Sequence, residues 1–145
     1  MITVEQVVRH QDYQAISVHP DTTVAESAQI MTDNQWDMVV VCSDTGQVAG
    51  VVSWQDIMRA ITEISGDISS LKVSQLLTVD PITCSVEDDV HDVLHVMAQH
   101  HFHHMPVVKN GHLAGMVRQS DILVTLLEES DMDKRAALIA NLKYL

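Results

Sequence analysis

The sequence predicts an α/β fold of two repeats related by a pseudo-twofold axis, each running strand, helix, strand, strand, helix, and packed sheet to sheet. Three observations carry this. Displaced by 66 residues, the chain matches itself: Ile16 falls on Ile82, Val24 on Val90, Met31 on Met97 and Val41 on Val107. Past a turn that loses one residue the displacement is 65, and Gly46, Ala49, Gly50, Val52, Asp56 and Ile57 fall on Gly111, Ala114, Gly115, Val117, Asp121 and Ile122. Both halves then alternate helical and strand periodicity in the same order. Finally, a unit of about 60 residues buries too little of its surface to be secure alone, so two copies should share a face.

The elements follow in chain order. A leader helix precedes two short strands, one per repeat, at residues 15–18 and 82–84. Each strand leads into a helix whose apolar residues (24, 28 and 31; 90, 93, 94 and 97) share one face. Thr23 with Glu26 forms a capping-box pair, and Asp89 with Asp92 is a start signal of the same spacing. Apolar runs at 38–42 and 48–52, repeated at 105–108 and 113–117, read as paired strands. Between the second pair, Asn110-Gly111 is a hairpin signal, because that turn requires positive φ at both central residues. A second helix begins near Asp56 and again near Asp121. The segment SGDISS at 65–70 separates the halves, so the first repeat with its leader spans 1–65, the second 66–128, and a C-terminal helix 129–145. The apolar stripe of that last helix (Ala137, Leu138, Leu142, Leu145) needs a partner surface in this chain or in a second copy.

Composition narrows the function. With 46% apolar and 19% charged residues in 145, the chain lies outside the disordered regime. Eight Lys and Arg against 20 Asp and Glu give a formal charge of −12, which argues against nucleic acid and anionic membranes as partners. No apolar run is long enough to span a bilayer and the N-terminus lacks a signal pattern, so a cytoplasmic protein is expected. The two cysteines form no CxxC motif. Cys42 and Cys84 align with Val108 and Val18, positions that suit buried thiols. Neither a Walker A loop, a GxSxG elbow nor an HExxH motif occurs, so the chain is not expected to be an enzyme.

Each repeat ends in a glycine-led strand running into an Asp-started helix. The first reads Gly50-Val51-Val52-Ser53-Trp54-Gln55-Asp56 and the second Gly115-Met116-Val117-Arg118-Gln119-Ser120-Asp121. The second also carries Met105-Pro106-Val107-Val108, where the first has Val39-Val40-Val41 and no proline. In these motifs, and in their order over nearly the whole chain, the protein resembles a tandem cystathionine β-synthase (CBS) domain pair, a stand-alone Bateman-type module. The resemblance implies a regulatory sensor. Its two clefts between the repeats would bind an adenosine-containing ligand such as AMP, ADP, ATP or S-adenosylmethionine, with no obligatory cofactor. The pair would dimerise with a second copy and act on a separate regulated protein.

Carried over residue by residue, the resemblance places Asp56 and Ser53 with Ile82, Phe102 and His103 in one cleft. The other joins Asp121, Ser120 and Arg118 with Ile16, Trp36 and Asp37. A carboxylate at a helix start can accept from the 2′ and 3′ hydroxyls of a ribose, while free N–H groups of the first turn face a phosphate. The same Ser-x-x-Asp spacing is also an ordinary helix cap. Arg118 stands where the first repeat has Ser53, and is either a bidentate phosphate grip or a solvated surface residue. Trp36 and Phe102 align, so a rare aromatic recurs at each helix-to-strand corner, as a platform for a base or as a plug beneath a loop. The charge of −12 favours AMP, adenosine or S-adenosylmethionine over a triphosphate without Mg²⁺.

Seven of nine histidines lie between His91 and His112. His91 and His95, four apart on a helix, have metal-compatible spacing but no cysteine beside them, and a solvated helix face is their ordinary account. A metal or pH sensor is therefore a minor alternative, and no metal site is assigned. The larger alternative is a ligand-free module whose product is a dimerisation or interaction surface.

Overall fold

The computed structural model describes residues 1–8 and 17–142. Its elements are α1 (Val4–Val8), β1 (Ser17–Val18), α2 (Val24–Asn34), β2 (Met38–Cys42), β3 (Val48–Ser53), α3 (Trp54–Glu63), α4 (Val90–His100), β4 (His104–Lys109), β5 (His112–Arg118), α5 (Gln119–Glu128) and α6 (Met132–Leu142). One sheet has the order β1-β2-β3, with β1 parallel and β3 antiparallel to β2; the other is the antiparallel pair β4-β5. The expected Ile16, the start of the expected first strand and Leu145 lie outside the described residues, as do the side chains of Leu138 and Leu142.

Every residue of β2 is buried, and the period of two explains how. Val39 and Val41 pack with Val24, Met31 and Ile57 of the helices, whereas Met38, Val40 and Cys42 turn with Trp36 to the other repeat and meet Met116. A strand covered on both faces reads as a continuous apolar run, which MVVVC is. The second repeat has its own core of Val90, Val93, Met97, Met105, Val107, Val117 and Ile122. The shared layer between the two sheets is the predicted sheet-to-sheet face.

Local signals place the elements. Thr23 and Glu26 complete the capping box of α2, with Thr23 Oγ1 accepting from the Glu26 amide at 3.1 Å. Asn110 and Gly111 adopt φ of 52° and 79°, which turns β4 into β5. Both hairpins carry a register shift at the same repeat position, between Val41 and Cys42 and between Val107 and Val108. The hairpin tips meet, the Val48 amide donating to the Gly111 carbonyl at 2.8 Å.

One expected strand is reduced to a point. In the first repeat β1 pairs Ser17 with Val40 and Val18 with Val41, but in the second only Cys84 bridges Val107. The Cys84 amide donates to the Pro106 carbonyl and the Val108 amide to the Cys84 carbonyl, both at 2.9 Å. The next rung would need an N–H at position 106 to reach the Ile82 carbonyl. Proline has none, and the ladder stops.

Packing crosses the linker. The leader α1 buries Val4 and Val8 in the core of the second repeat, tied by the Val4 amide to the Asp88 carbonyl and the Glu5 amide to the Val86 carbonyl. Ile68 within the linker and Val73 beyond it belong instead to the core of the first. At the far end α6 returns to α5, where the Arg135 Nε donates to the Leu127 carbonyl at 2.8 Å. A cation there suits the negative end of the α5 dipole.

Candidate functional site

The first group of candidate residues gathers where β3 gives way to α3. Ser53 is the N-cap of α3: its Oγ accepts from the Asp56 amide at 3.3 Å, and its own amide donates to Asp56 Oδ2 at 2.8 Å. The Ser53 hydroxyl also donates to Asp56 Oδ2 at 3.0 Å. On the other carboxylate oxygen, the Thr78 hydroxyl donates at 3.0 Å and Arg59 Nη1 at 3.3 Å. Asp56 is buried and takes four donors from the protein itself. A ribose at this carboxylate must displace or share them.

Thr78 reaches Asp56 because residues 77–78 lie across β3. Val51 and Thr78 exchange both backbone hydrogen bonds, at 3.1 and 2.9 Å. The approach needs Gly50: a Cβ there would stand 2.3 Å from the Thr78 carbonyl oxygen. That is the physical demand behind the leading glycine of the first motif.

A cavity of about 340 Å³ opens beside this cluster, lined by Ser53, Asp56, Ile82 and Phe102 together with Met38, Val51, Gln55, Arg59, Thr78 and Asp80. Four of the five residues expected in this cleft therefore share one cavity, drawn from both repeats. The fifth, His103, lines an adjoining 180 Å³ hollow that also touches Met38, Ser53, Gln55 and Phe102. The two hollows form one groove around the start of α3. Phe102 stacks on His100, with centroids 5.4 Å apart.

The second group meets on the other side of the inter-repeat layer. Arg118 lies with its guanidinium carbon 5.1 Å from the Trp36 ring centroid, and Trp36 stacks on His104 at 5.6 Å. Trp36 is buried and its indole N–H has no hydrogen-bond partner among the described residues. Arg118 is also the N-cap of α5 and makes no side-chain cap, unlike Ser53. Ser120 and Asp121 stand in the first turn of that helix, Ser120 exposed and Asp121 half-buried.

Asp37, assigned by resemblance to the Trp36 side, joins the repeats instead as a clasp. Its Oδ1 lies 2.6 Å from Nδ1 of the buried His104, and its Oδ2 is 3.3 Å from both the amide and Nδ1 of His103. A carboxylate can only accept, so His104 Nδ1 carries the proton. Burial pushes the Asp37 carboxyl up, but the bond and charge of His104, aided by His103, outweigh it and hold the group below the usual carboxylate range. His104 and Thr78 have no distinguishing sequence signal, one among four histidines in the five residues 100–104 and the other 22 residues from its partner. Arg59 had one: a basic residue three positions after Asp56 on a helix.

Outside the groove, His91 and His95 are both exposed on α4, and His91 pairs with Asp89 at 3.1 Å. Among the described residues, no group of three or more His, Cys, Asp or Glu converges as a metal site. Burial raises both thiols, Cys84 to about 12 with help from Asp88.

Sequence comparison decides the family of these two repeats: the profile of the CBS domain matches residues 4–63 and 73–128. The chain belongs to the CBS-domain family. This CBS pair is 32% identical over 116 residues to an uncharacterized 17.7 kDa protein of Acidianus ambivalens, a match covering 79% of this chain and 69% of that one. Two other curated relatives are far longer, and the chain spans 13% and 22% of their lengths. Among solved structures, CBSX2 in complex with AMP matches with a TM-score of 0.73 at 22% identity, over 88% of this chain and 98% of that one. The CBS domain pair of protein MJ0100, in complex with 5′-methylthioadenosine and S-adenosyl-L-methionine, matches at 0.73 and 18% identity, over 90% and 99%. These likenesses show the fold. No helix among the described residues is long and apolar enough to cross a membrane.

Proposed function

We propose that this CBS pair is a regulatory module, not an enzyme, that binds an adenosine-containing ligand in the clefts between its repeats. The observation that carries the reading is the groove at the start of α3, where Ser53, Asp56, Ile82 and Phe102 line one cavity at the seam of two repeats. Its volume is at the lower end of the range for small-molecule pockets, and its lining sets Met38, Val51, Ile82 and Phe102 beside convergent polar and charged groups. CBS pairs of this fold solved with AMP, or with 5′-methylthioadenosine and S-adenosyl-L-methionine, support the ligand class. A ligand touching both repeats biases their relative packing, and a regulated protein reads that change.

Thermal denaturation with AMP, ADP, ATP with and without Mg²⁺, S-adenosylmethionine and adenosine tests this. A ligand at 100 times its dissociation constant adds about 2.7 kcal/mol. The reading expects at least one adenosine compound to raise the midpoint and Asp56→Ala or Asp121→Ala to reduce the shift. If no adenosine compound moves the midpoint, the reading fails.

The interaction reading has its own support. Trp54, Met58 and Ile61 of α3 are exposed at i, i+4 and i+7, one apolar stripe along the helix. We assign that stripe to pairing with a second copy. Sedimentation equilibrium should show a dimer that Ile61→Glu converts to monomer; a monomeric parent chain removes the assignment.

A further inference from the structure

We propose that the groove at the start of α3 selects adenosine compounds that carry no phosphate, a neutral nucleoside or a cationic sulfonium, and rejects nucleoside phosphates. This rests on the preceding reading that the groove holds an adenosine ligand, and it concerns the charge of that ligand.

A helix start attracts a phosphate through unsatisfied N–H groups, and here the protein uses those of Ser53, Trp54 and Asp56. The Trp54 amide donates to the Asp37 carbonyl at 3.0 Å and the Asp56 amide to Ser53 Oγ. The Ser53 amide and hydroxyl both point to Asp56 Oδ2. These donors are already held within the protein, the two of Ser53 on a carboxylate.

The charged lining adds to this. Asp56 and Asp80 face the larger hollow and Asp37 the smaller. Against them stands one guanidinium, Arg59, which is itself 3.3 Å from Asp56. The remaining titratable groups are His101 and His103, the latter paired with Asp37. A phosphate would meet three carboxylates and one guanidinium that is already committed. A ribose, an adenine edge or a sulfonium meets no such opposition, and Thr78 and Gln55 offer it polar contacts. Across the inter-repeat layer the opposite holds: Arg118 makes no ion pair among the described residues and lies over Trp36. Phosphate binding, where it occurs, belongs there.

Asp80 is the residue on which the selection can be tested. It has φ of 51°, a left-handed conformation directly before Pro81. Asp and Asn are among the few side chains that enter this region readily, so Asp80→Asn removes the charge and leaves the turn. Asp80→Gly, with free access to positive φ, is the second variant.

Calorimetric titrations of the full chain at pH 8 with adenosine, S-adenosylmethionine and AMP give the result. At the site that Asp56→Ala abolishes, adenosine and S-adenosylmethionine bind at least tenfold more tightly than AMP. In Asp80→Asn, or Asp80→Gly, the affinity for AMP rises at least threefold relative to that for adenosine. AMP binding as tightly as adenosine through an Asp56-dependent site overturns the charge selection and leaves the adenosine reading standing, as does an unmoved ratio in both Asp80 variants. Absence of any Asp56-dependent binding by all three compounds overturns the reading of the groove itself, and the selection with it.

Discussion

Asp37 and its repeat-mate His103 sit at equivalent positions and touch, so the pseudo-twofold relation brings a carboxylate of one repeat onto imidazoles of the other. Because the Asp37 carboxyl is held below its ordinary value of 3.8, its stabilising effect is complete above that value and disappears as pH falls through the lowered one. The melting temperature of the parent chain should therefore fall more steeply than that of Asp37→Asn in the acid range below about pH 4. Parallel curves for the two proteins would show that the clasp contributes nothing. This contact was illegible in the sequence. The repeat alignment paired residue 37 with residue 103, but an alignment of equivalents does not say that equivalents meet. The Ser53–Asp56 spacing, by contrast, was legible both as a helix cap and as a ligand group, and the geometry shows the cap fully formed.

At the scale of elements, the two repeats differ most where a single proline falls. Position 106 is proline and its twin, position 40, is valine, and only the first repeat completes a parallel strand beside β2. The motif containing Pro106 was visible in the sequence; its effect on the neighbouring strand was not, because that effect depends on which strand lies opposite. Pro106→Val should add a protected amide at 106, donating to the Ile82 carbonyl, and hydrogen exchange measures it directly. Rapid exchange at 106 would contradict the account of the shortened ladder. Capping and turn chemistry were easier to read, since Thr23 with Glu26 and Asn110 with Gly111 act within four residues of chain.

For the whole molecule, the repeat order and the sheet-to-sheet layer followed from patterning, but the threading did not. Hydrophobic periodicity tells that α1 has a buried face without telling which core receives it, and the leader crosses to the second repeat while residues 68 and 73 return to the first. The two units are interlocked. Removing residues 1–8 takes Val4 and Val8 out of the second core, and burial of a valine is worth about 1.5–3 kcal/mol. The truncated chain should still melt in one transition, several degrees lower; an unchanged midpoint would mean that the leader does not stabilise the fold. Such interlocking also brings residues of both units to the seam where the proposed groove lies.

The groove is the centre of the account, and amide chemical shifts recorded during an adenosine titration test it most directly. The predicted result is a saturable change confined to residues 53–59, 78–82 and 102, lost in Asp56→Ala. Saturable binding with its shifts elsewhere, or no shifts at all, would contradict it.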